Sequence, residues 1–318
     1  MSDTATYVME RPALASRFRV LDTLGEGAGS RVYLVEDTHR NGQHVALKVL
    51  EDHQAFDEHT RERFTREMEV CRQIRHPNLV EAYDLIPLEN TVAFTMEFVR
   101  GKDLAHYFYL PDRLPAREID RMFIAILLAL EELHLHGIVH RDLKLENVLV
   151  RDDGAIKLSD LGLMKKLDSE GLTRPGILLG TVHYMPPEYI KHGKYDARSD
   201  LYSVAIMLME MLTGRRRLEG FEGREVIAEL VRTKFEISGA LLQTLPKKYR
   251  VILEKGSARD PSKRYQSASE MRADFERDHS EFVGMGTTEI SSNLGMKSTA
   301  LRNQHCFSCV HEMKPVTI

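Results

Sequence analysis

The chain has no tryptophan and only three cysteines in 318 residues. So few cysteines exclude a disulfide scaffold and fit a reducing compartment, which points to the cytoplasm. Without tryptophan, indole fluorescence cannot report ligand binding. Neither sign of charge dominates: 44 Lys and Arg against 48 Asp and Glu leave −4. That balance argues against a nucleic-acid partner. Long hydrophobic runs are missing as well. The longest, Met122 to Leu130, lies between Arg121 and Glu131. It falls far short of the roughly 20 residues of a membrane span and reads as a buried helix. The opening MSDTATYVMERP has neither the cationic start nor the apolar core of a signal peptide. No internal repeat is visible. What remains, 42% hydrophobic and 29% charged residues, is the composition of a soluble globular protein. At roughly 150 residues per domain, the length suits two domains or one two-lobed unit.

The pattern divides the chain into an N-terminal extension (1–17), a strand-rich part (18–99), a helix-rich part (100–282) and a tail (283–318). The last is rich in Gly, Ser, Thr and Asn and has little to bury. In the strand-rich part, FRVL from Phe18, LGEGAGSRVYLVED and HVALKVL alternate and carry β-branched residues, and Thr91 to Val99 reads as a further strand. A helix is expected over about 57–75. At 100° per residue, Phe64, Met68, Val70, Cys71 and Ile74 share one stripe, with Glu67 in its middle. A carboxylate facing a core needs a cation, and Lys48 is the ready candidate. In the helix-rich part, Ile119, Met122, Phe123, Ile126, Leu127, Leu130 and Leu133 line one helix face, ended by Gly137. A second helix, about 198–213, is apolar nearly all round and therefore buried. Between them, NVLV-RDDG-AIKLSD reads as a hairpin around Asp153-Gly154. A two-residue loop there pairs Asp152 with Ala155 and Asn147 with Asp160.

Three segments carry chemistry. Gly25-x-Gly27-x-x-Ser30-x-Val32 lies on a strand–turn–strand, where glycines let backbone N–H groups approach phosphates. Taken alone, a hairpin without a ligand explains it as well. It is neither the dinucleotide fingerprint, since a strand follows, nor a Walker A loop, since no Gly-Lys-Ser/Thr follows. On Val45-Ala46-Leu47-Lys48, period 2 sets Ala46 and Lys48 on one face and Val45, Leu47 and Val49 on the other. His140 to Asn147 (HRDLKLEN) places Asp142 and Lys144 in a loop beside Asn147 and Asp160. Two oxygen donors there suit Mg²⁺, and a nearby carboxylate suits deprotonation of an attacking hydroxyl.

In this order the segments resemble a eukaryotic-type (Hanks-type) serine/threonine protein kinase of the bacterial kind: the glycine loop at 25–32, VALK at 45–48, Glu67, HRDLKLEN at 140–147, DLG at 160–162 and PPE at 186–188. The resemblance implies an α+β, two-lobed fold with a β-rich N-lobe and a helical C-lobe. It implies ATP and Mg²⁺. Leu24, Gly25, Glu26, Gly27, Ala28, Gly29, Ser30, Arg31 and Val32 would cover the nucleotide, with Leu24, Val32 and Ala46 above the adenine and Leu149 below. Met96 would be the gatekeeper, the backbone of Glu97 and Val99 would meet the adenine edge, and Asp103 the ribose. Lys48, held by Glu67, would contact the α- and β-phosphates; Asp142 would be the base; Lys144 would steady the γ-phosphate; Asn147 and Asp160 would hold the metal. By the same resemblance Glu188 pairs with Arg264, Asp200 holds the catalytic-loop backbone, and Arg141 binds a phosphorylated activation segment at Thr173, with Ser169 behind it.

The implied partner is a protein Ser/Thr hydroxyl, with a homodimer for autophosphorylation in trans. Asp103 and Glu146 are acids that suit a basic residue before that hydroxyl. Departures from the pattern are Ser30 at the third glycine, Leu161 in DLG, Pro186-Pro187 and Ala205. None removes a phosphate, metal or proton-transfer group. The alternatives are a kinase-like scaffold or regulatory module and a small-molecule kinase. Cys71 reads as a buried hydrophobe. The run His305-Cys306-Phe307-Ser308-Cys309-Val310-His311 is half of a zinc site that a second copy would have to complete; the plainer reading is a tail.

Overall fold

The computed structural model describes Val8 and residues 11–27, 30–50, 58–88, 91–110, 114–160, 181–221, 224–232 and 237–277. Ala28, Gly29, Leu161, Ser169, Thr173 and the 283–318 tail with its CxxC lie outside the described residues.

A short helix α1 (Pro12–Ala15) leads into β1 (Phe18–Gly27), β2 (Ser30–Asp37) and β3 (Gln43–Leu50). Helix α2 (Glu58–Gln73), β4 (Ala82–Pro87) and β5 (Val92–Glu97) follow. The strands form one antiparallel sheet in the order β1-β2-β3-β5-β4. Alternation along β3 sorts its side chains. Val45, Leu47 and Val49 join Val8, Leu14, Phe18, Tyr33, Val35 and Ala93 on the outer face. Ala46 joins Leu24, Val32 and Met96 on the inner face. The outer cluster includes residues ahead of position 18, so packing of this lobe begins in the N-terminal extension.

Helix α2 departs from its expected stripe. Met68, Cys71 and Ile74 are buried, but Val70 is 36% exposed and Glu67 is only half-buried. The buried residues form the narrow i, i+3, i+6 row, with Glu69 and Val70 exposed beside it; the side chain of Phe64 lies outside those described.

The second lobe opens with β6 (Gly101–Asp103), α3 (Leu104–Phe108) and α4 (Ala116–Leu135), then β7 (Val148–Arg151) and β8 (Ile156–Leu158). All seven residues expected on the α4 face are buried, and Gly137 follows at φ 71°. Beyond lie α5 (Pro187–His192), α6 (Ala197–Thr213), α7 (Arg224–Arg232), α8 (Gly239–Gln243), α9 (Lys247–Gly256) and α10 (Ala268–Glu276). Helix α6 is buried on every side from Leu201 to Met211, starts in an Asp196–Ser199 capping box and ends at Gly214 in the left-handed conformation. Among the described residues no helix is long and apolar enough to cross a membrane.

The β7–β8 hairpin differs from its expected register by one residue. Val148 pairs with Leu158, Leu149 with Lys157 and Val150 with Ile156. Arg151 N–H donates to Ala155 O, so the loop holds three residues, Asp152 to Gly154, with Gly154 at φ 82°. Asn147 therefore faces Ser159, whose N–H donates to Asn147 O at 2.9 Å. Asp160 sits one step past the ladder at φ 55°. A longer loop with glycine at the left-handed position is the alternative to the two-residue turn.

Candidate active site

The inner face of the first sheet supplies an apolar slot. Leu24, Val32, Ala46 and Met96 form a buried cluster, flanked by Leu34, Val80, Phe94 and Phe98. Gly27, the last residue of β1, pairs with Ser30, the first of β2. Leu149, buried on β7, belongs to the other lobe. Behind Met96 the cleft widens to about 720 Å³, solvent-open space included, lined by Lys48, Met68, Cys71, Phe94, Leu158 and Asp160.

Lys48 reaches across this cleft and bonds Asp160 Oδ1. Glu67, the other expected carboxylate, is half-buried on α2, while the one-residue hairpin slip and the left-handed backbone of Asp160 aim the Asp160 carboxylate at β3. Burial alone would push the Asp160 carboxyl up. The Lys48 charge and hydrogen bond outweigh it and hold the group below its ordinary value. Burial pushes the Cys71 thiol on the cleft wall up to about 12, with Glu67 adding to the effect, so the thiol is inert there.

The loop from His140 to Asn147 is fixed from below. Asp200 at the start of α6 is fully buried. Its Oδ2 accepts from His140 N–H at 2.8 Å and its Oδ1 from Arg141 N–H at 3.0 Å. His134 Nε2 and Tyr195 OH complete its partners at 2.9 and 3.2 Å. Arg141 is held at φ 66°. Non-glycine residues in that region cost of order 1 kcal/mol or more and cluster at functional sites. Asn147 Nδ2 donates to Asp142 O at 2.7 Å, which leaves its Oδ1 as an acceptor. One amide oxygen and one carboxylate make a hard oxygen donor set. Among the described residues no cluster of three or more His, Cys, Asp or Glu could hold a metal. A Mg²⁺ would therefore share its shell with phosphate oxygens, the arrangement that ion favours.

The other expected residues are placed as follows. Asp103 Oδ1 caps α3 by accepting from His106 N–H at 2.8 Å, which leaves one oxygen of a carboxyl that burial pushes up. Glu97 ends β5, and its side chain binds Lys157 of β8 at 2.8 Å. Lys157 also donates to Leu79 O at 3.0 Å. Glu188 and Arg264 form the expected pair, bidentate at 2.8 and 2.7 Å. Two couplings escaped the sequence, Lys157–Glu97 and Arg216–Glu146 (2.9 Å). The only signal for the second was the run Arg215-Arg216-Arg217.

The chain matches the protein kinase domain over residues 18–275. It is 33% identical over 260 residues to the probable serine/threonine-protein kinase PknB of Lactococcus lactis, covering 82% of this chain and 42% of that protein. It is 32% identical over 262 residues to the serine/threonine-protein kinase PrkC of Bacillus subtilis, covering 82% and 40%. The chain thus spans about two fifths of the length of these relatives. Among solved structures, the Mycobacterium tuberculosis PknI kinase domain superposes with TM-score 0.63 at 25% identity, over 82% of this chain and 96% of that one. The two-lobed architecture, the ordered motifs and the span of the match together make this chain a member of the protein kinase family, among relatives of bacterial serine/threonine kinases.

Proposed function

We propose that the chain transfers the γ-phosphoryl group of ATP to a Ser or Thr hydroxyl of a protein, its own activation segment included, with Mg²⁺ as cofactor. The observation that carries this reading is the convergence of Lys48 and Asp160 on a loop that buried Asp200 holds by its backbone. In the proposed reaction the purine lies between Leu24, Val32 and Ala46 on one side and Leu149 on the other. Lys48 contacts the α- and β-phosphates. Asn147 and Asp160 would hold Mg²⁺, which would supply positive charge against the phosphate oxygens. Asp142 accepts the proton of the hydroxyl as its oxygen bonds to phosphorus; the bond from phosphorus to the β–γ bridging oxygen breaks, and ADP leaves. Lys144 offsets charge on the transferring group. Copies of the chain acting on one another would give autophosphorylation, and the scarcity of cysteine fits action in the cytoplasm.

The test is incubation of the purified chain with Mg·ATP beside Asp142→Asn, with phosphosites mapped by mass spectrometry. The parent is expected to gain phosphate, Thr173 among the sites, and Asp142→Asn to lose at least about 10²-fold in rate while keeping its fold. A parent inert both to itself and to a generic protein substrate would overturn the reading.

A further inference from the structure

The acid expected to greet a basic substrate already has a partner. Glu146 lies in the Leu145–Asn147 turn, inside the loop that carries Asp142 and Lys144. Its Oε1 accepts from Arg216 Nη2 at 2.9 Å. Its Oε2 is shut off from solvent with no hydrogen-bond partner. Arg216 is held in turn: its Nε donates to Tyr109 OH at 3.0 Å, and its guanidinium stands 5.7 and 5.6 Å from the ring centroids of Phe108 and Tyr109. The turn Thr181–Tyr184 closes on the same arginine run, with His183 Nδ1 and Arg217 O 2.6 Å apart. Arg215 is exposed, and neither it nor Lys144 has an ion-pair partner among the described residues. The acceptor side of the loop thus holds a neutralised carboxylate and two further cations.

We propose that Arg216 is a specificity-determining residue: by occupying Glu146 it turns the acceptor site against Lys and Arg and towards hydroxyls flanked by acidic residues. The inference rests on the kinase reading above. A substrate arginine would have to displace a partner already tethered and stacked on two rings. A substrate glutamate meets the exposed Arg215, which has no ion-pair partner among the described residues. Charge complementarity of this kind sets partner choice more than raw affinity.

The experiment compares three peptides that differ only beside one acceptor Thr, flanked by Ala, by Glu or by Arg. For the parent, kcat/KM should rank Glu above Ala above Arg, each step about three- to tenfold. Arg216→Met keeps an apolar stem against Phe108 and Tyr109. It should raise the Arg-to-Ala ratio by about the same factor, and adding Glu146→Gln should abolish that gain. Should Arg216→Met fail to fold, Glu146→Gln alone decides: it releases Arg216, and the Glu-to-Ala ratio should rise. A parent that prefers the Arg peptide, or ratios that ignore these substitutions, would overturn the proposal while leaving the kinase reading intact. Failure to phosphorylate even the Ala peptide, together with absent autophosphorylation, would sink both.

Discussion

His140 is buried, and both ring nitrogens are committed. Nδ1 accepts from Asp142 N–H at 3.3 Å, and Nε2 donates to Ser159 O at 3.0 Å. A proton added at Nδ1 would point at the Asp142 N–H. Burial accordingly holds His140 below its ordinary value, against the pull of Asp200, and burial lowers His76 and His183 as well. The sign follows from proton counts. Below an unfolded pKa of about 6.5 the unfolded chain binds protons that the folded chain refuses, so stability falls as pH falls, by up to about 1.4 kcal/mol per pH unit for each such histidine. Asp160 is depressed too, but its contribution is lost only in the carboxylate range, well below this window. We expect a lower melting temperature at pH 5.5 than at pH 7.5, with the gap narrowed in His140→Leu even though that variant is less stable. An unchanged gap would remove His140 from the account. At this scale the sequence named the groups better than their partners. Motif order identified Lys48, Asp142, Asn147 and Asp160, and helix angles placed Glu67 near Lys48. That Lys48 also reaches a carboxylate 112 residues away depends on how the lobes meet, which helix periodicity does not encode.

Among the elements, α4 was legible because its burial follows one period over 20 residues, and α6 because it is apolar nearly all round, so errors at single positions average out in both. Short elements lack that redundancy. The β7–β8 hairpin has seven strand residues in all, and a single residue in the loop decides its register, hence whether Asp160 lies inside the ladder or beyond it. Helix α6 also explains a departure from the family pattern. An added Cβ at Gly256 of α9 would meet Ala205 Cβ at 2.8 Å. The methyl of Ala205 thus fills space that a glycine on the facing helix leaves open. Gly256→Ala should cost about 1–3 kcal/mol through overpacking, net of the helix propensity it gains. In an Ala205→Gly background the same change should cost less, by at least about 0.5 kcal/mol. Chemical denaturation of the four proteins of that cycle checks this, and strict additivity would mean that the two helices do not share the contact.

Across the whole molecule, the lobes are stitched beside the cleft by short backbone bonds. Leu158 N–H donates to Asn78 O at 2.8 Å and Val80 N–H to Leu158 O at 2.9 Å, with Lys157 bound to Leu79 O and Glu97. These bonds join β8, which leads into Asp160, to the segment before β4, so Lys48 and Asp160 are positioned by one continuous seam. The far side of the first sheet is finished by residues that no motif marks, since the family match starts at residue 18. Val8 and Leu14 are fully buried there. Arg17 binds fully buried Asp37 at 2.6 and 2.8 Å and also reaches Asp84. A buried carboxylate deprived of its main cation is costly, and Arg40, 3.7 Å from Asp37, is a weaker substitute. We therefore expect Leu14→Ala to cost about 2–5 kcal/mol and Arg17→Ala up to about 3–5 kcal/mol, although both lie outside the matched domain. A chain starting at residue 18 should unfold at lower denaturant with a sheet face exposed. Equal midpoints for the full and shortened chains would mean that the lobe is complete without the extension, and that the buried positions of Val8 and Leu14 reflect passive docking of the segment onto a finished sheet.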